Sequence, residues 1–398
     1  MSKRTLAQLD GSRLDGQRVV VRVDLNVPLT DGMVGDDTRI RASLPTIRYL
    51  RGKGARVVLL SHLGRPNGRP DPKFSLKPIA RELEKQLGIP VTFLEDPTSD
   101  AAAATVRHLP RGGVTLAENT RFYPGEESND PALADRFAAL GDIYVNDAFG
   151  SAHRAHASTE AIAHRLKPAV SGFLMEKELK FLGEAVDHPA HPFVAILGGA
   201  KISGKIDLIE ALLPKVDHIL VGGAMACTFF KAMGLETGNS LVEADRVEMA
   251  AELLVKAGDK LVLPTGALIA QKLAAGVETR AVPRDRIPAG WAMFDVDAST
   301  VQHFSSIISA ARTVIWNGPM GVFETPPFDA GTLGVARALA AATAKGTITI
   351  VGGGDSAAAI VAAGLESQVT HVSTGGGAAL EFLEGKPLPG VAALDDLP

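Results

Sequence analysis

Short runs of β-branched and aliphatic residues, each closed by Gly, Pro or Asp, alternate along this chain with longer segments of helical period, almost from end to end. Strand, helix and strand in repeated succession build a mainly parallel sheet covered by helices. Strands are predicted at residues 19–23, 57–60, 91–94, 114–116 and 143–145, and in a second series at 193–197, 219–221, 261–263, 314–316, 348–351 and 371–373. Between strands, residues 75–87 put Leu76, Ile79, Leu83 and Leu87 on one helical face. No short-period repeat of the solenoid kind occurs. Two such series in 398 residues predict an α/β chain of two doubly wound lobes.

Between the series, residues 172–186 interleave Phe173, Leu174, Leu179, Phe181 and Leu182 with Glu176, Lys177, Glu178, Lys180 and Glu184, which reads as a helix able to join two lobes. The stretch Gly385-Lys386-Pro387-Leu388-Pro389-Gly390 cannot continue a helix and is expected to run as an extended strap over the surface. Lys and Arg total 41 against 45 Asp and Glu, a net charge of -4, so there is no general polycation to hold nucleic acid or an anionic membrane. Any anion site must be local. Cys227 is the single cysteine; it precludes an intrachain disulfide, suits a reducing compartment and reads as a small hydrophobe. No apolar stretch has signal-peptide or membrane-helix length, so the expectation is a soluble, cytoplasmic protein.

Glycine-rich turns after strands carry the chief chemical signal, because such turns present backbone N–H groups and the positive end of a helix dipole to an anion. Gly198-Gly199-Ala200-Lys201-Ile202-Ser203-Gly204-Lys205-Ile206 matches G-x-x-x-x-G-K, but Ile206 stands where Ser or Thr would offer Mg²⁺ a hydroxyl. If helical, Lys201 and Lys205 lie one turn apart and could face a polyphosphate together; they could equally be solvated lysines at a helix start. Gly352-Gly353-Gly354-Asp355-Ser356-Ala357 fits the dinucleotide fingerprint G-x-G-x-x-A, yet the next strand ends in Ser373-Thr374-Gly375-Gly376-Gly377 without the carboxylate a dehydrogenase needs for the ribose. Asp355 could instead serve Mg²⁺ beside a nucleotide phosphate. Tight helix-sheet packing is the other use of these glycines.

The first part carries a different cluster: Arg22, Asp24 and Asn26, then Arg39, then His62 and Arg65, Glu118 to Arg121 in Glu118-Asn119-Thr120-Arg121, and His153, Arg154 and His156. Each sits at or beyond the C-terminal end of a predicted strand, where open α/β sheets bind ligands. Taken singly, each arginine reads as a solvated surface residue. Converging, they would form a cradle for a small multiply charged anion, since guanidinium matches phosphate and carboxylate bidentately. The histidines could donate to phosphate or fill polar space, and no metal-ligand spacing accompanies them.

Val21-Arg22-Val23-Asp24-Leu25-Asn26-Val27-Pro28, Ser61-His62-Leu63-Gly64-Arg65-Pro66, Glu118-Asn119-Thr120-Arg121-Phe122, Leu197-Gly198-Gly199-Ala200-Lys201, Trp316-Asn317-Gly318-Pro319-Met320-Gly321-Val322-Phe323-Glu324, Gly352-Gly353-Gly354-Asp355 and Ser373-Thr374-Gly375-Gly376-Gly377 together resemble the signatures of the phosphoglycerate kinase family, in its order and over nearly the whole chain. The resemblance implies reversible phosphoryl transfer from 1,3-bisphosphoglycerate to ADP, giving 3-phosphoglycerate and ATP in glycolysis, with Mg²⁺ accompanying the nucleotide. It implies phosphoglycerate on Asp24, Asn26, Arg39, His62, Arg65, Arg121 and Arg154. It implies nucleotide on Lys201, Lys205, Gly222, Gly223, Asn317, Glu324, Gly352, Gly353, Gly354, Asp355 and Ser356, with Asp355 toward the metal and Arg39, Lys201 and Lys205 catalytic. Two Rossmann-like domains are implied at residues 1–171 and 187–384, joined by an interdomain helix at 172–186, with the tail 385–398 packed back on the first. A hinge-bending monomer is expected. The chain departs from the family's usual pattern at Asp297-Ala298, at Thr265 after Pro264, and at Ala224.

Overall fold

The computed structural model describes residues 3–397. The chain forms two compact units, Met1–Lys180 with Pro387–Pro398, and Phe181–Lys386. The joining helix is Phe173–Asp187, one residue later at each end than expected, and the division falls inside it rather than at its ends.

In the first unit the strands are β1 (Arg18–Arg22), β2 (Leu29–Thr30), β3 (Met33–Val34), β4 (Arg56–Leu60), β5 (Val91–Leu94), β6 (Val114–Ala117), β7 (Ile143–Asn146) and β8 (Ala169–Ser171). Six form one parallel sheet in the order β5-β6-β4-β1-β7-β8, while β2 and β3 make a small hairpin. Continuous apolar runs follow from burial on both faces. Val19, Val21, Val57 and Leu59 enter one core, and Val20, Val58, Leu60 and Tyr144 the other. The helix Lys77–Leu87 buries Ile79, Ala80 and Leu83 and stops at Gly88, whose φ of 66° is the left-handed conformation glycine adopts without a Cβ penalty.

The second unit contributes β9 (Phe193–Leu197), β10 (His218–Val221), β11 (Leu261–Val262), β12 (Gly266–Ala270), β13 (Arg280–Pro283), β14 (Ala292–Val296), β15 (Thr313–Asn317), β16 (Ile348–Gly352) and β17 (His371–Val372). Its main sheet runs β11-β10-β9-β15-β16-β17, all parallel, the 3-2-1-4-5-6 Rossmann order. The first sheet departs from that order at one place: its fourth strand, β6, lies between β5 and β4 rather than between β1 and β7. A three-stranded antiparallel sheet, β13-β12-β14, is inserted between β11 and β15.

The tail is not an extended strap throughout. Pro389–Ala392 is a short helix, and proline is tolerated there because it stands in the first turn, where its missing N–H has no partner to lose. Asp395 then donates its N–H to Ala169 O and accepts from Arg4 N, fastening the tail to β8 and the start of the chain.

Candidate functional site

In the first lobe, the switch in strand order falls between β1 and β7, and polar residues gather at the C-terminal ends of β1 and β4. Asp24 is buried and takes both Arg39 contacts at 3.1 Å, while Arg39 also reaches Asn26 O. Burial pushes the Asp24 carboxyl up, but the charge of Arg39 first, then that of Arg22 and the hydrogen bond from Asn26 N, outweigh it and the net shift is down. Gly64 joins two further arms: its N–H donates to Asn26 Oδ1 at 2.9 Å and its carbonyl accepts from Arg121 Nη1 at 2.8 Å. Only glycine fits this junction, because φ is +60° and a Cβ would stand 2.4 Å from the Phe74 ring. Arg121 pairs with Glu127 at 3.3 Å, and its pKa is drawn down by burial and by the charges of Arg22 and Arg154 against the pull of Glu127. Cations so gathered favour an added anion. Arg154 contacts His153 and is exposed, as is Arg65 beyond the Gly64 turn.

His62 is buried against Arg22, whose Nη2 lies 3.1 Å from Nδ1. Burial holds the His62 pKa well below its ordinary value, with Arg22, Arg121 and Arg39 reinforcing it and Asp24 opposing. Arg22 itself is 1% exposed. The sequence signalled it only as one member of the polar strand end. Glu126 and Ser158, which hold it, carried no signal.

In the second lobe the chemistry is mostly main-chain. The turns after β9, β10 and β15 touch backbone to backbone: a Cβ on Gly198 would meet Pro319 O at 2.1 Å, one on Gly318 would meet Gly198 O at 2.2 Å, and one on Gly223 would meet Gly199 O at 2.4 Å. For these glycines the packing use is real. Gly222 and Gly223 also have their N–H groups engaged, by Leu197 O and Met320 O, so what they offer a ligand is close approach rather than a free donor. Gly199, Gly204, Gly354 and Gly376, in contrast, have open space where a side chain would be.

The lysine reading needs correction. The helix after β9 spans Ile206–Leu212 with Lys205 at its N-cap, so Lys201 is not one helical turn below Lys205 but exposed in the preceding loop. Ser203 pins that loop by donating its hydroxyl to Glu243 Oε1 at 2.5 Å and its N–H to Oε2 at 3.1 Å, a partner the sequence did not suggest. Lys205 donates to Asn317 Oδ1, and burial, partly offset by Asp355 and Glu384, lowers its pKa to about 8. The Asn317 amide nitrogen is buried without a hydrogen-bond partner.

Gly353 caps the helix Gly354–Ala362 with φ of 87°, placing Asp355 exposed in its first turn. Ser356 is buried and its hydroxyl accepts from Gly318 N at 2.6 Å, which ties this turn to the one after β15. Glu324 is exposed beyond Met320. Among the described residues no three His, Cys, Asp or Glu stand together as a metal cage, and no helix is long and apolar enough to cross a membrane. Asp355 as a lone carboxylate fits a Mg²⁺ whose other ligands are phosphate oxygens and water.

A family model described as phosphoglycerate kinase matches residues 9–386. The chain is 56% identical to a phosphoglycerate kinase of Chloroflexus aurantiacus over 402 aligned positions, covering 100% of each. It is 53% identical to a cytosolic phosphoglycerate kinase of Triticum aestivum, covering 99% of each. Among solved structures, that of phosphoglycerate kinase from Coxiella burnetii superposes with a TM-score of 0.88 at 40% identity, covering 98% of both chains.

Proposed function

This chain belongs to the phosphoglycerate kinase family, phosphotransferases with a carboxyl group as acceptor, and on that premise we propose how its own residues divide the reaction. The activity is reversible phosphoryl transfer between 1,3-bisphosphoglycerate and ADP. The first lobe binds the phosphoglycerate through Asp24, Asn26, Arg39, His62, Arg65, Arg121 and Arg154. The second binds the nucleotide through Lys201, Lys205, Gly222, Gly223, Asn317, Glu324 and the turn from Gly352 to Ser356. The observation that carries this division is the gathering of Arg39, Arg121 and the buried Arg22 around Asp24 and His62 at the strand ends of the first sheet.

Phosphoryl transfer asks the protein for positioning and charge neutralisation rather than a nucleophile. In the direction of ATP synthesis a β-phosphate oxygen of ADP attacks the acyl phosphorus, the P–O bond to the acyl group breaks, and the carboxylate of 3-phosphoglycerate leaves. The reverse direction uses that carboxylate as nucleophile on the γ-phosphorus. Arg39 and Lys201 neutralise the equatorial oxygens of the migrating group, and Lys205 with the N–H of Gly376 supports the nucleotide phosphates, the Gly375 N–H being given to Ser373 Oγ at 3.1 Å. Asp355 is the residue that would hold Mg²⁺, which supplies charge neutralisation to the polyphosphate when bound. A cytoplasmic monomer acting on small molecules, with neither nucleic acid nor membrane as partner, completes the reading.

Calorimetric titration of the whole chain with Mg·ADP, 3-phosphoglycerate and NADH, beside a coupled assay for ATP formation, tests it. Binding of the first two without the third, with turnover, is expected. Tight NADH binding without adenine nucleotide phosphates would overturn it.

A further inference from the structure

Arg22 is a buried cation, each of whose three guanidinium nitrogens has a partner. Its Nε donates to Ser158 Oγ at 2.7 Å, its Nη1 to Val23 O at 2.5 Å, and its Nη2 meets His62 Nδ1 at 3.1 Å. Guanidinium has no acceptor, so the last contact is a hydrogen bond only if His62 Nδ1 carries a lone pair, which leaves the ring proton on Nε2. The other end of the chain is equally constrained. The Ser158 hydroxyl has a single proton, given to Glu126 Oε1 at 2.5 Å, and its lone pair receives Arg22. Glu126 is 0% exposed and its second oxygen accepts Ser158 N at 3.0 Å. Tyr144 OH donates to Ser158 O at 2.9 Å, holding the serine from the opposite side.

The connections run from a carboxylate through a hydroxyl and a guanidinium to an imidazole, with every proton's direction set by valence. Residues 136 positions apart, Arg22 and Ser158, are joined with no packing need that an apolar pair would not meet more cheaply. We propose that Glu126 and Ser158 are positioning residues which, through Arg22, hold His62 as its Nε2–H tautomer, so that His62 meets the substrate's anion as a neutral hydrogen-bond donor. The proposal rests on the reading of the first lobe as the phosphoglycerate site. Burial of His62 beside Arg22, Arg121 and Arg39, against the single opposing charge of Asp24, agrees with an uncharged ring. His156, the other buried imidazole facing this cluster, lies 4.0 Å from Glu126 and does not replace the serine.

The test uses the full chain labelled with ¹⁵N-histidine. In the wild type, the His62 signals, assigned by loss in His62→Gln, should show a protonated Nε2 and a bare Nδ1 at neutral pH. Ser158→Ala should mix the tautomers and raise KM for 3-phosphoglycerate about tenfold, the loss of one charge-assisted hydrogen bond, with a smaller change in kcat and none in KM for the nucleotide. Ser158→Thr, which keeps the hydroxyl, should restore both readouts. A wild-type His62 protonated on Nδ1, or a folded Ser158→Ala with tautomer and KM unchanged, overturns the proposal. If 3-phosphoglycerate moves no His62 signal in the wild type, the site reading itself has failed, a separate result. The wild-type spectrum decides the tautomer even if Ser158→Ala does not fold.

Discussion

The two lobes build their candidate ligand sites from opposite materials. The first uses charged side chains already tied to one another, Arg39 to Asp24 and Arg22 to Ser158, on a sheet whose strand ends supply fixed anchors. The second uses main chain: turns so close that Gly198, Gly223 and Gly318 leave no room for a methyl group, with Lys201, Lys205, Glu324 and Asp355 as the charged side chains around them. The difference predicts where each lobe breaks. Losing a side chain in the first should cost function before stability, whereas adding one atom to the turns of the second should cost stability before function.

The largest effect should come from Gly198→Ala, whose Cβ would sit 2.1 Å from the Pro319 carbonyl, a backbone atom that cannot step aside. Roughly 3 kcal/mol or more of stability should be lost, read by denaturant unfolding. Gly204→Ala, with nothing within 4 Å, should be near neutral, and equal effects at both positions would refute the main-chain account.

Next comes Arg39→Met, which should keep the fold and lose ~10²- to 10³-fold in kcat. Were kcat retained and KM alone raised, Arg39 would bind the ground state without acting on the transition state. A smaller effect is expected of pH on the second lobe. Lys205 loses its proton as pH rises through about 8, so Mg·ADP affinity should fall above that value, by at most about tenfold per pH unit. Lys205→Arg, charged throughout, should flatten the profile; a profile unaltered by the substitution assigns the titration to another group.

The smallest effect concerns Asp147, buried at the end of β7, whose Oδ1 accepts from Leu174 N and Met175 N at the start of the joining helix. Burial, partly countered by Thr46 and those N–H groups, raises its pKa to about 6. An acid raised in the folded state costs stability above its folded pKa and nothing below its unfolded value, so the penalty enters as pH climbs from about 4 to 6. Asp147→Asn keeps an acceptor without the charge and should gain on the order of 1–3 kcal/mol relative to wild type between pH 4 and pH 8. Parallel stability curves for the two proteins across that range would show that Asp147 carries no such penalty.

Much of this arrangement was legible in advance, for reasons that differ by region. Strands buried on both faces announce themselves as apolar runs, and the residues that follow them mark the ligand edge of an α/β sheet; Asp24, His62 and Arg121 were found that way. The antiparallel insert was not, because Gly266–Ala270 looks like a glycine-bounded turn and Arg280–Pro283 is mostly exposed, without apolar alternation. β8 has three residues after Pro168 and shows no period at all. The placement of β6 between β5 and β4 in the first sheet leaves no trace in local pattern. Glu126 and Ser158 escaped because a single polar residue in a loop gains meaning only from a partner distant in sequence, and glycine turns could not be sorted into packed and open ones without their neighbours.

The fastening of Asp395 to Ala169 and Arg4 also sets an order of assembly during synthesis. Phe181–Lys386 is one uninterrupted stretch and can close its sheet as soon as it clears the ribosome. The first lobe, although begun earlier, must wait with the Ala169 end of β8 unpaired until residues 387–397 emerge. The lobe that leads in the gene is therefore the one finished last, and an arrested or truncated chain would carry a completed second lobe beside a first lobe still open at its rim.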